Sequence, residues 1–227
     1  MEETFFRMNP NSDMCYECFF CDDGRFALNQ SIGLPGNESV IYKDKHVFIT
    51  PDISPVVLGH FLIVAEEHES SFAGVSDDVF ASLTKAKLFL KEKVFRDQTV
   101  LFFEHGSILQ RSAGSCIDHA HMHVLPINMT TNMIDNFICN SIFINSKKEP
   151  ATHEALQQCV VNLQPYLYYE IKDDMWLYSV NKLPSQFFRQ MICSVAGGSY
   201  NWKFQFRSIE SKHLFLDTLR LLQNCIT

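Results

Sequence analysis

Apolar residues in the first half of the chain form short runs that are separated by polar turns. Residues 40–42, 46–50, 61–65 and 100–104 are rich in β-branched and aromatic side chains. Runs of this length and composition are typical of β-strands. The four segments are therefore predicted to be strands.

A different periodicity follows Ser76, where apolar residues recur every three or four positions from Val79 to Val94. This spacing predicts an amphipathic helix of about five turns that begins at Ser76. With the histidine-rich segment considered below, the elements run strand, strand, strand, helix, strand, strand. That order lacks regular βαβ alternation, so it predicts an α+β fold with an antiparallel sheet flanked by helices.

The chain changes character after Pro126. Residues 129–150 are polar and rich in asparagine, and we predict a connector there. Beyond it, we predict helices at 154–163, 184–196 and 212–223 and strands at 167–171 and 175–180. We therefore divide the chain into residues 1–128 and a C-terminal α/β extension, residues 129–227, which packs on the first part and does not fold independently.

Histidine alternates with small or apolar residues shortly before Pro126. In a β-strand, alternate side chains point to one face, so His119, His121 and His123 would share a face and Met122 would lie on the other. A helix would instead separate the histidines by about 200°. Three imidazoles on one face suit either a metal cluster or phosphate chemistry with a histidine nucleophile.

Composition narrows the class of partner. The chain of 227 residues has 46% hydrophobic residues, 20 phenylalanines and a net charge of −7. An acidic protein is unsuited to a nucleic-acid polymer, although a small phosphorylated ligand needs only a few local donors. The acidic N-terminus does not resemble a signal peptide, and no apolar run approaches the roughly 20 residues that span a bilayer. We therefore expect a cytoplasmic protein with no membrane partner.

Three of the eight cysteines lie close together, at Cys15, Cys18 and Cys21. In a reducing compartment this spacing is more typical of metal binding than of disulfides. The other five are dispersed, and we predict that they are small core residues.

Taken together, these motifs resemble those of the histidine triad (HIT) superfamily. The resemblance covers about residues 15 to 127 and implies a HIT-like fold with a nucleotide substrate. The matching residues are Cys18-Phe-Phe-Cys21, Asp52-Ile-Ser-Pro55, Gly59-His60, His68, Gly114-Ser115 and the triad itself.

The resemblance also implies a mechanism. The central histidine of the family, here His121, attacks the α-phosphorus of a nucleotide, and water then releases a nucleoside monophosphate from the nucleotidyl-histidine. The implied substrates are dinucleoside polyphosphates or nucleoside phosphoramidates. A nucleotidyltransferase or phosphorylase using the same histidine is one alternative. A non-catalytic nucleotide-binding or scaffold protein is another, which the intact triad disfavours. A homodimer is also implied, unless the extension covers the usual dimer face.

Several positions become candidates for substrate binding through the resemblance. His123 and His60 are expected to contact phosphate, together with the backbone of Gly114 and Ser115. Asp52 corresponds to an acidic ribose ligand, although an Asx-turn before Pro55 explains this aspartate equally well.

Two further pairs of residues are candidates. Glu104 stands where many family members carry an amide side chain. We expect Glu104 and His105 to pair with each other, or one of them to help protonate the leaving group. Cys116 replaces a hydroxyl residue just before the triad. In the extension, Gln186 and Arg189 are three residues apart, so we expect them to share one helix face. There they could bind a base or a terminal phosphate, or they could belong to a solvated helix face.

Structural zinc is implied for several family members, through a Cys-x-x-Cys pair and two histidines. The corresponding residues are Cys18, Cys21, His68 and His119, a set of two thiolates and two imidazoles that suits a closed tetrahedral site. His119 is thus a candidate both as a metal ligand and as a catalytic member of the triad. A side chain bound to zinc would be unavailable to phosphate. Cys15 would be spare or would replace one of the pair.

Overall fold

The computed structural model describes residues 18–108, 113–114, 117–141, 148–181, 183–195 and 208–226. Three positions singled out from the sequence, namely Cys15, Ser115 and Cys116, lie outside the described residues.

Eight strands form a single sheet. They are β1 (Tyr42–Lys43), β2 (Val47–Pro51), β3 (Phe61–Ala65), β4 (Val100–Gly106), β5 (His121–Pro126), β6 (Lys148–Pro150), β7 (Tyr166–Ile171) and β8 (Asp174–Ser179). Their order is β1-β2-β3-β5-β4-β7-β8-β6, and every pair is antiparallel. The predicted α+β fold with an antiparallel sheet is confirmed.

Helices flank this sheet. They are α1 (Asp22–Ile32), α2 (Asp77–Phe89), α3 (Thr131–Cys139), α4 (His153–Val161), α5 (Phe187–Val195) and α6 (Ile209–Ile226). A five-residue π-helical turn, Leu90–Val94, continues α2, so the helix predicted after Ser76 is confirmed over its length. No helix within the described ranges is long and apolar enough to cross a membrane.

The connector predicted at residues 129–150 is wrong, because this segment contains α3 and β6. The hydroxyl of Thr130 accepts a hydrogen bond from the Met133 amide and caps α3. Ile134 and Ile138, four residues apart, are fully buried. Buried isoleucines on one side fix this short amphipathic helix, and the asparagine-rich composition of the segment conceals that pattern.

The C-terminal strands continue the sheet of the N-terminal part. Strand β7 pairs with β4 over six residue pairs, from Leu101 with Ile171 to Gly106 with Tyr166. Strand β5 lies on the other side of β4. Both edges of β4 are therefore paired within the chain.

The two faces of the sheet carry different chemistry around β5. Met122 and Val124 pack into the large apolar core beneath α2, together with Ala120. Because strand side chains alternate, His121 and His123 point to the opposite face. The predicted alternation is thereby confirmed for His121 and His123, whereas His119 precedes β5.

The dispersed cysteines do not all behave as predicted. Cys159 and Cys193 are buried, as expected for small core residues, but Cys139 and Cys225 are exposed. Both exposed residues lie in the last turn of a short or terminal helix, where one side faces solvent.

Candidate active site and metal centre

A cavity of about 50 Å³ opens beside the triad. Its polar wall consists of Asp52, His105, Gly114, His121, His123, Gln186 and Arg189, and its apolar wall of Phe20, Ile53, Leu62 and Ile117. Seven of the residues predicted to bind or transform a substrate therefore meet in one place. They come from β4, β5, the loop between these two strands, the loop after β2 and the region where α5 begins.

His121 is held in one tautomer. Its Nδ1 lies 2.6 Å from the carbonyl oxygen of His119. A carbonyl only accepts, so Nδ1 carries the proton and Nε2 keeps its lone pair. Burial lowers the pKa of His121, and the bond to the carbonyl only partly opposes this. The ring that lines the cavity is thus a neutral imidazole with a free nucleophilic nitrogen.

His60 orients His123 from behind. The Val56 amide donates to Nδ1 of His60 at 3.2 Å, which leaves the His60 proton on Nε2. That nitrogen lies 3.0 Å from Nδ1 of His123 and donates to it. Burial lowers the pKa of His60 to about 3, so it stays neutral. His123 consequently carries its own proton on Nε2. Its ring stacks on that of Phe103, with 4.3 Å between the ring centroids.

Asp52 forms the predicted Asx-turn and also an ion pair with Arg189, and its role as a ribose ligand stays a prediction. Its Oδ1 accepts from the Ser54 amide at 2.7 Å, as in an Asx-turn. Its Oδ2 accepts from Nη1 of Arg189 at 2.6 Å. Burial alone would raise the pKa of this carboxyl, but the positive charge of Arg189 outweighs burial and holds the pKa well below the usual range.

Glu104 and His105 lie on opposite faces of β4, so the expected pair between them does not form. His105 lines the cavity, and its Nε2 accepts from the Phe188 amide at 3.2 Å. Glu104 instead lies 2.8 Å from the Phe72 amide and 2.6 Å from the Tyr166 hydroxyl, in the core on the other side. Adjacent strand residues must diverge in this way, and Glu104 is not part of the cavity wall.

Gln186 reaches the cavity from outside a helix. It precedes α5 and has a φ of 64°, and its backbone N–H donates to the carbonyl oxygen of Gly114 at 2.8 Å. The expectation that Gln186 and Arg189 share one helix face is therefore wrong, because α5 begins only at Phe187. Gly114 has a φ of 77°, and a Cβ there would lie 2.5 Å from the Pro184 carbonyl, so this close approach requires glycine.

The predicted metal ligands also come together. The Sγ and Nδ1 atoms of Cys18, Cys21, His68 and His119 all lie within 4.8 Å of one another. Cys18 Sγ is 3.3 Å from His119 Nδ1, and Cys21 Sγ is 3.6 Å from His68 Nδ1. A tetrahedral ion with ordinary zinc–sulfur and zinc–nitrogen bonds has ligand–ligand separations of about 3.3 to 3.8 Å. The four residues could therefore hold a metal ion.

His119 is oriented for the metal cluster. Its Nε2 donates to the carbonyl of Ala65 at 2.7 Å, which leaves the lone pair on Nδ1, the nitrogen nearest the sulfurs. Such a bond fixes the tautomer of a histidine ligand. The side chain does not line the cavity. His119 instead contacts the cavity residues through its carbonyl, which holds His121.

Comparison with known proteins agrees with this architecture. A HIT domain model matches residues 36–129. An uncharacterized HIT-like protein of Methanocaldococcus jannaschii is 31% identical over 90 residues, which cover 38% of this chain and 67% of the relative. The chain belongs to the HIT family. A second uncharacterized HIT-like protein, from Borreliella burgdorferi, is 27% identical over 113 residues, with coverage of 49% of this chain and 76% of that one.

Solved structures with a similar fold include two enzymes. A HIT family hydrolase from Clostridium thermocellum superposes with a TM-score of 0.38 at 23% identity, over 52% of this chain and 96% of that one. Yeast Ap4A phosphorylase superposes with a TM-score of 0.44 at 17% identity, over 70% of this chain and 64% of that one.

The matched HIT domain contains only part of the site. It includes Asp52, His60 and the triad, but Cys18 and Cys21 precede it and Gln186 and Arg189 follow it. The extension of this HIT protein therefore supplies cavity residues that lie outside the matched domain.

One buried contact near the site was not predicted from the sequence. Thr218 on α6 accepts a hydrogen bond from the Gly59 amide at 3.1 Å, directly beside His60. Its side chain is fully buried. A single threonine within an amphipathic helix gives no local signal of a partner 159 residues away.

Proposed function

We propose that this HIT protein is a nucleotide hydrolase that cleaves at the α-phosphorus of dinucleoside polyphosphates or nucleoside phosphoramidates through a nucleotidyl-His121 intermediate. The observation that carries the proposal is the state of His121. Its proton is held on Nδ1 by a backbone carbonyl, and the lone pair of Nε2 belongs to a ring on the cavity wall. Such an imidazole is an activated nucleophile that needs no separate base.

The chemistry proceeds in two displacements. His121 Nε2 forms a bond to phosphorus while the bond from phosphorus to the leaving oxygen or nitrogen breaks. The leaving group takes up a proton from solvent, and the water that attacks in the second step gives one back. The positive charge that develops on the ring is stabilised by the His119 carbonyl at Nδ1. Water then attacks phosphorus, the bond to nitrogen breaks, and a nucleoside monophosphate leaves.

His123 has a supporting role in this scheme. Because His60 donates to its Nδ1, the proton of His123 lies on Nε2 and can be donated to a phosphoryl oxygen. His60 is accordingly a positioning residue. His105 and the backbone at Gly114 complete the polar surface available to the phosphate.

Zinc is the metal we propose for the four-residue cluster. Two thiols and two imidazoles form a closed donor set of the kind that holds structural zinc. The pKa of Cys18 is lowered to about 2, chiefly by its hydrogen bond with Cys21 and against the opposing effect of burial. A low pKa favours the thiolate that a metal requires. When bound, the ion would fix the segment around Phe20. The centroid of the Phe20 ring lies 5.4 Å from that of the His121 ring.

We further propose that residues 1–128 form the catalytic domain and that residues 129–227 are an extension that folds together with it as one unit. The pairing of β7 with β4 and the presence of Arg189 in the cavity wall support this proposal. The homodimer remains a prediction. Since both edges of β4 are paired within the chain, a second copy would have to dock elsewhere.

The test is nucleotide release followed by chromatography. Diadenosine polyphosphates, adenosine phosphoramidate and a nucleotide sugar are incubated with the protein, with and without added phosphate. The variant His121→Asn is compared with His213→Asn, a matched change at an exposed histidine of α6. The proposal predicts AMP release that is lost only in His121→Asn and does not depend on phosphate.

Two other results would replace the proposal. Turnover only in the presence of phosphate or another acceptor would identify a transferase or phosphorylase that uses the same histidine. Tight nucleotide binding without turnover of any substrate would identify a nucleotide-binding protein instead.

A further inference from the structure

The cavity beside His121 is too small for the ligand that the proposed function requires. It measures about 50 Å³, whereas sites for nucleotide-sized ligands usually enclose about 300 to 1,000 Å³. Some part of the wall must therefore move before a nucleotide can reach Nε2 of His121.

An ion pair crosses the wall of this cavity. Nη1 of Arg189 on α5 lies 2.6 Å from Oδ2 of Asp52 in the loop after β2, and Nη2 donates to the Ser54 carbonyl. Arg189 and Asp52 are 3% and 2% exposed, so their opposite charges compensate each other inside the protein, where His60 and His123 also lie within 3.6 Å of Asp52 Oδ2. The pair connects the extension to the matched HIT domain across 137 residues of sequence.

Arg189 is also the positively charged group that could bind a phosphate. Among the described residues that line the cavity, Arg189 is the only arginine or lysine and Asp52 is the only aspartate or glutamate. A guanidinium binds phosphate oxygens through two parallel hydrogen bonds, but its Nη1 and Nη2 are both engaged here. Phosphate and Asp52 would thus compete for one guanidinium.

The exchange can take place without movement of the helix. The start of α5 is attached to the site by the amides of Gln186, bonded to Gly114, and of Phe188, bonded to His105. The guanidinium, by contrast, lies at the end of a long side chain with several rotatable bonds. Rotation of that side chain would release Asp52 and clear the volume that the guanidinium now fills.

We propose that the Arg189–Asp52 ion pair is a latch that closes the site in the absence of ligand, and that phosphate groups open it by taking Arg189 from Asp52. The inference rests on the proposed nucleotide site, since it assumes that a phosphorylated ligand enters there. It adds a regulatory role for the extension. It also explains why the site carries an arginine that is already neutralised by a carboxylate.

Binding of inorganic pyrophosphate tests the latch without turnover and without a ribose. Calorimetric titration is carried out on the full-length protein with pyrophosphate and with adenosine as separate probes. Arg189→Met should weaken pyrophosphate binding by about tenfold or more, the loss expected for a charge-assisted bidentate contact, and should leave adenosine binding within about threefold. Asp52→Asn should strengthen pyrophosphate binding, because it removes the competitor.

The exposed ion pair Arg220–Asp217 on α6 provides matched controls. Arg220→Met and Asp217→Asn should leave both affinities unchanged. If Arg189→Met does not fold, as judged from its thermal transition, Arg189→Lys takes its place, because it keeps the charge and loses the paired contact. Its pyrophosphate affinity should then lie below that of the wild type.

The possible results separate the latch from the proposed function. Unchanged pyrophosphate binding in the Arg189 variant, or weaker binding in Asp52→Asn, overturns the latch even if the protein hydrolyses nucleotides. The expected pattern in a protein that turns over no substrate supports the latch while the hydrolase proposal fails. Wild-type protein that does not bind pyrophosphate overturns the latch, whatever its activity on nucleotides.

Discussion

Glu104 provides a quantitative test of the packing on the face of the sheet opposite the triad. This carboxyl is 2% exposed, between the Phe72 amide and the Tyr166 hydroxyl. Burial raises its pKa from 4.5 to about 7, although the hydrogen bonds to Tyr166 and Phe72 and the charge of Lys87 oppose the rise. The native protein therefore binds a proton here that the unfolded chain releases above pH 4.5.

The sign and size of the effect follow from this difference in pKa. Where the native state binds more protons than the unfolded state, stability falls as pH rises. The fall begins near the unfolded pKa of 4.5 and is complete above the native pKa of about 7. A shift of about 2.5 units corresponds to about 3 kcal/mol in total, of which about 2 kcal/mol is lost between about pH 5.5 and pH 8.5.

Glu104→Gln should remove this dependence. A glutamine can accept from the Phe72 amide and donate to the Tyr166 hydroxyl oxygen, so it reproduces the protonated acid. We expect the free energy of unfolding of Glu104→Gln, relative to that of the wild type, to increase by about 2 kcal/mol from pH 5.5 to pH 8.5. Guanidinium chloride titrations at the two pH values measure it. Glu38→Gln, at an exposed position, is the control.

Equal differences at both pH values would refute this reasoning. They would mean that Glu104 is already ionised in the native protein at pH 5.5 and that Lys87 and the two hydrogen bonds compensate for burial. Titrating groups elsewhere in the chain do not affect the result, because they are common to the wild type and the variant.

Three further predictions concern packing, positioning and the metal. Gly106→Ala should destabilise the protein by about 2 kcal/mol or more in denaturant titrations, because its Cβ would lie 2.1 Å from the Tyr166 ring. Thr218→Val should cost about 1 to 3 kcal/mol, since it leaves the buried Gly59 amide without its acceptor. Cys18→Ser should abolish stoichiometric zinc, measured by elemental analysis, and a chelator should lower the melting temperature of the wild type towards that of the variant.

Each of these changes has a matched control. Gly74→Ala places a Cβ at an ordinary contact distance of 3.6 Å, so it should be tolerated where Gly106→Ala is not. Thr218→Ser keeps the hydroxyl and should lose less stability than the valine. Cys225→Ser, at an exposed cysteine, should retain zinc. A control that behaves like its test variant would contradict the corresponding prediction.

The local sequence determined which elements form and which side chains share a face. Alternation along β5 predicted that His121 and His123 lie opposite Met122, because strand geometry fixes that relation between neighbours. The helical spacing after Ser76 predicted α2 in the same way. Short motifs were also sufficient to indicate the family and to nominate the four metal-cluster residues.

Local patterns failed where few residues carried the signal. The helix α3 depends on a Thr130 cap and two buried isoleucines within an asparagine-rich segment, so the composition of that segment pointed to a connector. Likewise, the sequence alone did not assign Glu104 and His105 to different environments, although strand alternation requires them to diverge.

Only the tertiary structure decided the contacts between distant segments. The pairing of β7 with β4, the bond from Gly59 to Thr218 and the ion pair of Arg189 with Asp52 each join residues that have no local relation. Such contacts depend on how every intervening element packs, since chain closure over long separations is favourable only when many contacts form together. The sequence by itself therefore determined the strand that carries the proposed nucleophile, whereas the packing of the extension determined which of its side chains line the cavity.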